Sequence, residues 1–175
     1  MRLFIAFPVP HEPLEALQHA LFQRAKIPVR LLHDFHCTVL FLGEIDEQWL
    51  PLLCDLFSSF DEPAFEARYA SFRFFPSAHS FRAITLSLGP QSTFLSFYRS
   101  VASHFASFVS HPSHSYLPHV TLARVNPHHS PTILEHFPSH TTLPPPFVVN
   151  SLQLIRSVLF SDGQRYTVLK EAALS

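Results

Sequence analysis

Two separated stretches of this chain carry one pattern: His36-Cys37-Thr38-Val39-Leu40-Phe41-Leu42-Gly43 and Pro118-His119-Val120-Thr121-Leu122-Ala123-Arg124-Val125. Both are rich in β-branched and apolar residues and read as strands. Side chains alternate along a strand, so His119 and Thr121 project from one face while Val120 and Leu122 project from the other. The fold therefore has to give each strand a core face and a face left over for polar chemistry. A chain that builds this unit twice is expected to assemble one site from two halves.

The surroundings repeat as well. A strand over 3–8, a helix over 12–24 and the first His strand over 36–42 are followed by a strand over 82–88, a helix over 92–108 and the second His strand over 119–125. Leu14, Leu17, Leu21 and Phe22 recur at helical spacing in the first helix, and Phe94, Leu95, Phe97, Tyr98, Val101, Phe105 and Phe108 form one broad stripe in the second. Between these units the acidic run Glu44, Asp46, Glu47 opens a helix to about residue 57, and an aromatic-rich strand over 64–75 stops at Pro76. Residues 126–146 read as an irregular excursion with a short helix near 132–136. Two strands, 147–160 and 165–169, close the chain through a turn at Ser161-Asp162-Gly163-Gln164. Together these elements predict an α+β fold in which residues 1–175 form one bilobal domain. Its pseudo-twofold halves contribute antiparallel sheets to a central cleft, and its helices pack outside.

Composition narrows the function. With 12 Lys and Arg against 13 Asp and Glu, no broad basic field is present to grip long nucleic acid through many phosphates. No apolar run is long enough to cross a bilayer, and Cys37 and Cys54 are too few for a disulfide framework. A reduced, cytoplasmic, monomeric protein without membrane or obligate protein partners is expected. The 3 glycines provide no phosphate loop, dinucleotide fingerprint or nucleophile elbow. With 13 histidines, a single one carries little weight. His111-x-x-His114 and His128-His129 lack acidic or Cys companions at metal-ligand spacing and read as solvated loop residues, so neither metal nor cofactor is expected. A third His-x-Thr, at His140, runs into Pro144-Pro145-Pro146, which cannot continue a central strand, and is placed on a surface loop.

Two imidazoles facing one another across a cleft can act as general base and general acid on either side of one phosphorus, because an ordinary pKa of about 6.5 lets both forms exist near neutrality. The Thr38 and Thr121 hydroxyls and the Arg124 guanidinium can hold the non-bridging oxygens and the charge of the transition state. Such a site cleaves phosphodiesters. Strict alternation, however, places Arg124 on the face opposite His119, so it reaches the phosphate only if the strand bulges or ends early, and a structural ion pair is its competing role.

The paired motifs resemble the two-histidine phosphoesterase superfamily, together with the Met-Arg-Leu-Phe-Ile-Ala opening, Phe-Leu-Gly-Glu after the first motif, Leu-Ala-Arg within the second, Phe72-Arg73-Phe74-Phe75-Pro76 and the closing hairpin to Tyr166-Thr167-Val168-Leu169. More narrowly they resemble the RNA 2′,3′-cyclic phosphodiesterases historically called 2′-5′ RNA ligases. The resemblance implies His36 as proton donor to the leaving oxygen, His119 as the base that activates water, and Thr38, Thr121 and Arg124 as phosphate ligands. Its substrates would be RNA ends or small cyclic nucleotides. The reverse joining reaction, or a non-catalytic RNA-end-binding module, stands as the alternative. Leu40 and Leu31-Leu32 depart from the family, which often carries a polar residue and an aromatic there. Tyr116 and Phe75 are candidates for stacking on a base, with core packing as the competing role.

Overall fold

The computed structural model describes residues 1–23, 27–109, 115–161 and 163–175. In chain order its main elements are β1 (Arg2–Pro8), α1 (His11–Gln18), β2 (Arg30–Leu31), β3 (His36–Glu44), α2 (Leu50–Ser58), β4 (Phe65–Ser77), β5 (Ser80–Gly89), α3 (Gln91–His104), β6 (His119–Arg124), α4 (Ser130–His136), β7 (Phe147–Val149), β8 (Ser151–Phe160) and β9 (Gly163–Ala173). They make a 4-stranded sheet in the order β3-β1-β8-β9 and a 5-stranded sheet in the order β2-β6-β5-β4-β7. Every pairing is antiparallel.

The two orders correspond. β3-β1-β8-β9 maps onto β6-β5-β4-β7, so each His-bearing strand is paired with the strand that opens its half, and a helix, α1 or α3, lies between them in sequence. The α+β fold with a duplicated unit is thus as the sequence implies.

The first strand shows how the layers are built. β1 is apolar along nearly its whole length because both of its faces are covered. Leu3, Ile5 and Phe7 enter the main core, whereas Phe4 and Ala6 join Ile155 in a separate small cluster on the other face, with Tyr166 packed against it. The many phenylalanines fill the main core and cross between the halves: Phe7 of β1 stacks on Phe94 of α3 at 5.8 Å, and Phe57 of α2 meets Phe105 at 5.8 Å. Burying each such ring stabilises the fold by roughly 1.5–3 kcal/mol relative to leaving it exposed.

Several boundaries differ from the sequence reading. The helix expected over 44–57 starts later, because β3 runs on to Glu44 and the chain's amino terminus donates to the Ile45 carbonyl at 2.7 Å, prolonging the pairing. A short 3-10 turn, Glu47–Trp49, then leads into α2, whose first turn holds Pro51. α1 passes at His19 into a π turn that ends at Gln23, and α3 stops at His104 before a 3-10 turn at Ala106–Phe108. The single strand expected over 147–160 is two strands in two sheets, β7 on β4 and β8 on β1. Asn150 marks the crossing, with its carbonyl taken by the Leu174 amide at 2.8 Å. β8 and β9 do form a hairpin, but its Asp162 lies outside the described residues.

Candidate active site

The His strands share more than a motif. β1 meets β3 with Ile5 opposite Leu40 and Ala6 opposite Thr38, while β5 meets β6 with Ile84 opposite Ala123 and Thr85 opposite Thr121. One residue in each His strand, Val39 or Leu122, is therefore skipped by the pairing. This is one β-bulge built twice at the same step. A bulge reverses the phase of alternation beyond it, and both strands carry the identical burial sequence that this produces. Leu40, at 4% exposure, and Ala123 turn into the core, whereas Phe41, at 66%, and Arg124 turn out. Arg124 thereby joins His119 and Thr121 on the cleft side, and the family departure at Leu40 is a core residue.

The histidines are set by matching contacts. His36 Nδ1 lies 3.0 Å from the Asp34 carbonyl, and His119 Nδ1 lies 2.8 Å from the Leu117 carbonyl. A carbonyl oxygen only accepts, so each Nδ1 carries a proton, and Nε2 is left as the nitrogen able to take or give one. Among the described residues neither Nε2 has a protein hydrogen-bond partner.

Both histidines, both threonines and Arg124 line one cleft of about 250 Å³, together with Arg2, Phe4, Leu32, Asp34, Phe41, Ser157, Gln164 and Tyr166. The imidazoles differ in their surroundings. His36 sits between Phe4 at 5.2 Å and the edge of Tyr166 at 5.0 Å; Phe75 tilts against His119 at 5.0 Å. Burial pushes the His36 pKa below its ordinary value, and the charges of His119 and Arg124 push the same way, against the Asp34 carbonyl and carboxylate that favour its protonated form.

Behind the cleft, two buried side chains tie the halves together. Tyr116 donates its hydroxyl to the Thr38 carbonyl at 3.2 Å and lies 3.6 Å from Cys37 Sγ. Gln18, only 2% exposed, donates its amide at 2.7 Å to each of the Leu32 and Leu122 carbonyls, the latter belonging to the bulge residue of β6. Tyr116 is therefore not a base-stacking residue: it is buried and stacked on Tyr98 at 4.7 Å. Phe75 is half-buried beside His119.

The remaining histidine candidates stay away from the cleft. His140 is exposed on a loop that borders a groove along α1, and His128 and His129 are exposed in a 3-10 turn. His111 and His114 lie outside the described residues. Among the described residues no group of three His, Cys, Asp or Glu side chains is arranged to hold a metal ion, and no helix is long and apolar enough to cross a membrane. Arg2, Gln164 and Tyr166 are cleft residues that the motif pattern does not reveal, because they arrive through the β1-β8-β9 pairing.

Comparison with known proteins agrees with this geometry. A family model described as the 2′-5′ RNA ligase superfamily matches residues 5–158. An RNA 2′,3′-cyclic phosphodiesterase of Methanocaldococcus jannaschii is 23% identical over 175 residues, spanning 98% of this chain and 99% of that protein. Among solved structures, TT0787 of Thermus thermophilus superposes with a TM-score of 0.71 at 25% identity, covering 99% of this chain and 97% of its own. Apo LigT of E. coli gives 0.70 at 26% identity with the same coverage. LigT complexed with 3′-AMP gives 0.71 at 25% identity, covering 99% of this chain and 98% of its own.

Proposed function

Since this chain belongs to the 2′-5′ RNA ligase superfamily, we propose that it hydrolyses RNA 2′,3′-cyclic phosphate ends to 2′-phosphomonoesters by general acid-base catalysis between His36 and His119, without a metal ion. The observation that carries the reading is the matched tethering of the two imidazoles. Each is anchored through Nδ1 to a carbonyl two residues upstream, and the two share one cleft with Thr38, Thr121 and Arg124.

In this mechanism His119 Nε2 takes a proton from water as its oxygen bonds to phosphorus. The bond from phosphorus to the 3′ oxygen breaks, and His36 Nε2 delivers its proton to that oxygen, leaving the phosphate on the 2′ oxygen. The direction of the pair follows the family resemblance. The lowered His36 pKa suits a proton donor that gives up its proton readily, while the phosphate anion beside it favours the loaded form. Thr38, Thr121 and Arg124 hold the non-bridging oxygens. Phe41 offers an exposed ring at the mouth, suited to the face of a base. The same residues are able to run the reverse joining reaction, by microscopic reversibility.

The test is incubation of purified protein with an oligonucleotide ending in a 2′,3′-cyclic phosphate, in the presence of EDTA. A 2′-phosphate product is expected. Absence of product, or activity abolished by the chelator, overturns the proposal.

A further inference from the structure

The reaction above uses one side of the cleft fully and leaves polar groups unused on the other. Arg2 of β1 is paired with Ser157 of β8, and Ser157 with Tyr166 of β9. Antiparallel partners stand about 5 Å apart at Cα with side chains on the same face, so these three form one row, and all three line the cleft. Gln164 lines it too. Its Oε1 accepts the Tyr166 hydroxyl at 3.1 Å, which leaves the amide hydrogens as the part of that side chain still able to donate.

Charge points the same way. Among the described residues no carboxylate lies within ion-pair distance of Arg2 or Arg124: Glu44, opposite Arg2 on β3, meets the amino terminus at 3.5 Å instead, and Asp34 is the one carboxylate that lines the cleft. The positive charges of Arg124, Arg2 and Arg30 bear on Tyr166, opposed among the described residues by the Asp34 carboxylate alone. This is a concentration of cations in a chain whose formal net charge is -1. A cyclic phosphodiester carries a single negative charge, which Arg124 meets. An isolated cyclic mononucleotide has nothing to set against Arg2.

We propose that Arg2, Ser157 and the Gln164 amide form a subsite for a second phosphate, separate from the one that reacts, so that the substrate is an RNA end bearing a 5′-side phosphate rather than a lone cyclic mononucleotide. This rests on the function proposed above, and chemistry dictates the 5′ side. In a 2′,3′-cyclic end both the 2′ and 3′ oxygens are taken by the ring, so the 5′ oxygen is the ribose position that carries the next phosphate.

The test is titration calorimetry of the wild type and of Arg2→Gln with adenosine 2′-phosphate and adenosine 2′,5′-bisphosphate, which differ by the 5′ phosphate. The wild type is expected to bind the bisphosphate about tenfold or more tightly than the monophosphate, the effect of a charge-assisted contact, and Arg2→Gln to collapse that ratio toward one. Equal affinities in the wild type, or a ratio unchanged in the variant, overturn the subsite. Arg2 is exposed, and a melting curve checks that its variant folds. Should it not fold, Ser157→Ala reads the same ratio. Turnover of adenosine 2′,3′-cyclic phosphate and of a dinucleotide with a cyclic-phosphate end separates the two readings. Equal kcat/KM on both sinks the subsite and keeps the reaction. Turnover of neither, with the bisphosphate preference intact, sinks the reaction and supports the subsite.

Discussion

Tyr116 reaches from the second half of the chain to the first, its hydroxyl 3.2 Å from the Thr38 carbonyl. The contact lies directly behind a cleft-lining threonine and leads, within the same short segment, to His119. It couples the spacing of the two motifs to the Tyr116 hydroxyl, which also meets Cys37 Sγ at 3.6 Å. Tyr116→Phe keeps the ring on Tyr98 and removes the hydroxyl, taking this link and the Cys37 Sγ contact together and leaving the Thr38 carbonyl without that donor. Thermal unfolding is expected to show a loss of about 1–2 kcal/mol. Turnover is expected to fall at temperatures where the variant is still folded.

His36→Ala and His119→Ala should each lower kcat on a cyclic-phosphate oligonucleotide by about 10²–10⁴-fold, the range for loss of a positioned acid or base. Neither ring sits in the main core, so circular dichroism should remain that of the wild type. His140→Ala, on its exposed loop, is the matched control and should leave kcat unaffected. A histidine variant that retains full turnover rules out the acid-base assignment.

The pH-rate profile of kcat/KM should be bell-shaped, with the His36 inflection below the ordinary 6.5, because burial disfavours its charged form. Tyr166→Ala uncovers one side of that imidazole. Less burial means less penalty on the charge, so the His36 inflection should move up toward 6.5. Tyr166→Phe keeps the ring and should hold the inflection near its wild-type position. An inflection that ignores the ring, or moves with the hydroxyl alone, contradicts burial as the cause.

Gln18 holds the carbonyl of the bulge residue Leu122 and that of Leu32 from inside the core. Gln18→Met conserves volume but withdraws both donors, and about 1–3 kcal/mol of stability should go with them. The bulge turns Arg124 toward the cleft, so kcat/KM per folded molecule should also fall. In an Arg124→Ala background the same change should cost no further activity. Additive losses in the double variant would place the role of Gln18 elsewhere.

The duplicated motif could be read from the chain because periodicity is local: a His and a Thr two apart in an apolar run declare a strand and its polar face. What lies beyond the bulge could not. Alternation puts Arg124 on the core side, and only the register against β5, where Ile84 meets Ala123 and Thr85 meets Thr121, reverses it. The division of the stretch from Phe147 to Phe160 between two sheets has the same origin, since the sequence there reads as one run and the break at Asn150 is decided by the C-terminal Leu174 amide. Arg2 and Tyr166 entered the cleft through strand pairings between the two ends of the chain. Tyr116 was ambiguous because an aromatic beside a motif fits core and ligand equally well, and its buried stack on Tyr98 decided for the core.

In the proposed reaction the twin bulges also separate two tasks that a single motif would confuse. Phe41 and Arg124 occupy equivalent places, one apolar and 66% exposed, the other cationic, and both line the cleft. A flat ring at the mouth interacts with a base equally in ground and transition states, so its loss should appear in KM. A guanidinium beside the phosphate meets charge that redistributes as the bond breaks, so its loss should appear in kcat. Phe41→Ala is expected to raise KM for a nucleotide substrate by about tenfold, within the roughly 1–3 kcal/mol typical of base stacking, with kcat nearly kept. Arg124→Ala is expected to lower kcat by about 10²–10³-fold, as removal of one donor to a developing oxyanion does. Steady-state kinetics of both variants on one cyclic-phosphate dinucleotide decides it. If the two losses fall on the same parameter, the equivalent positions share one role and the division between base and phosphate fails.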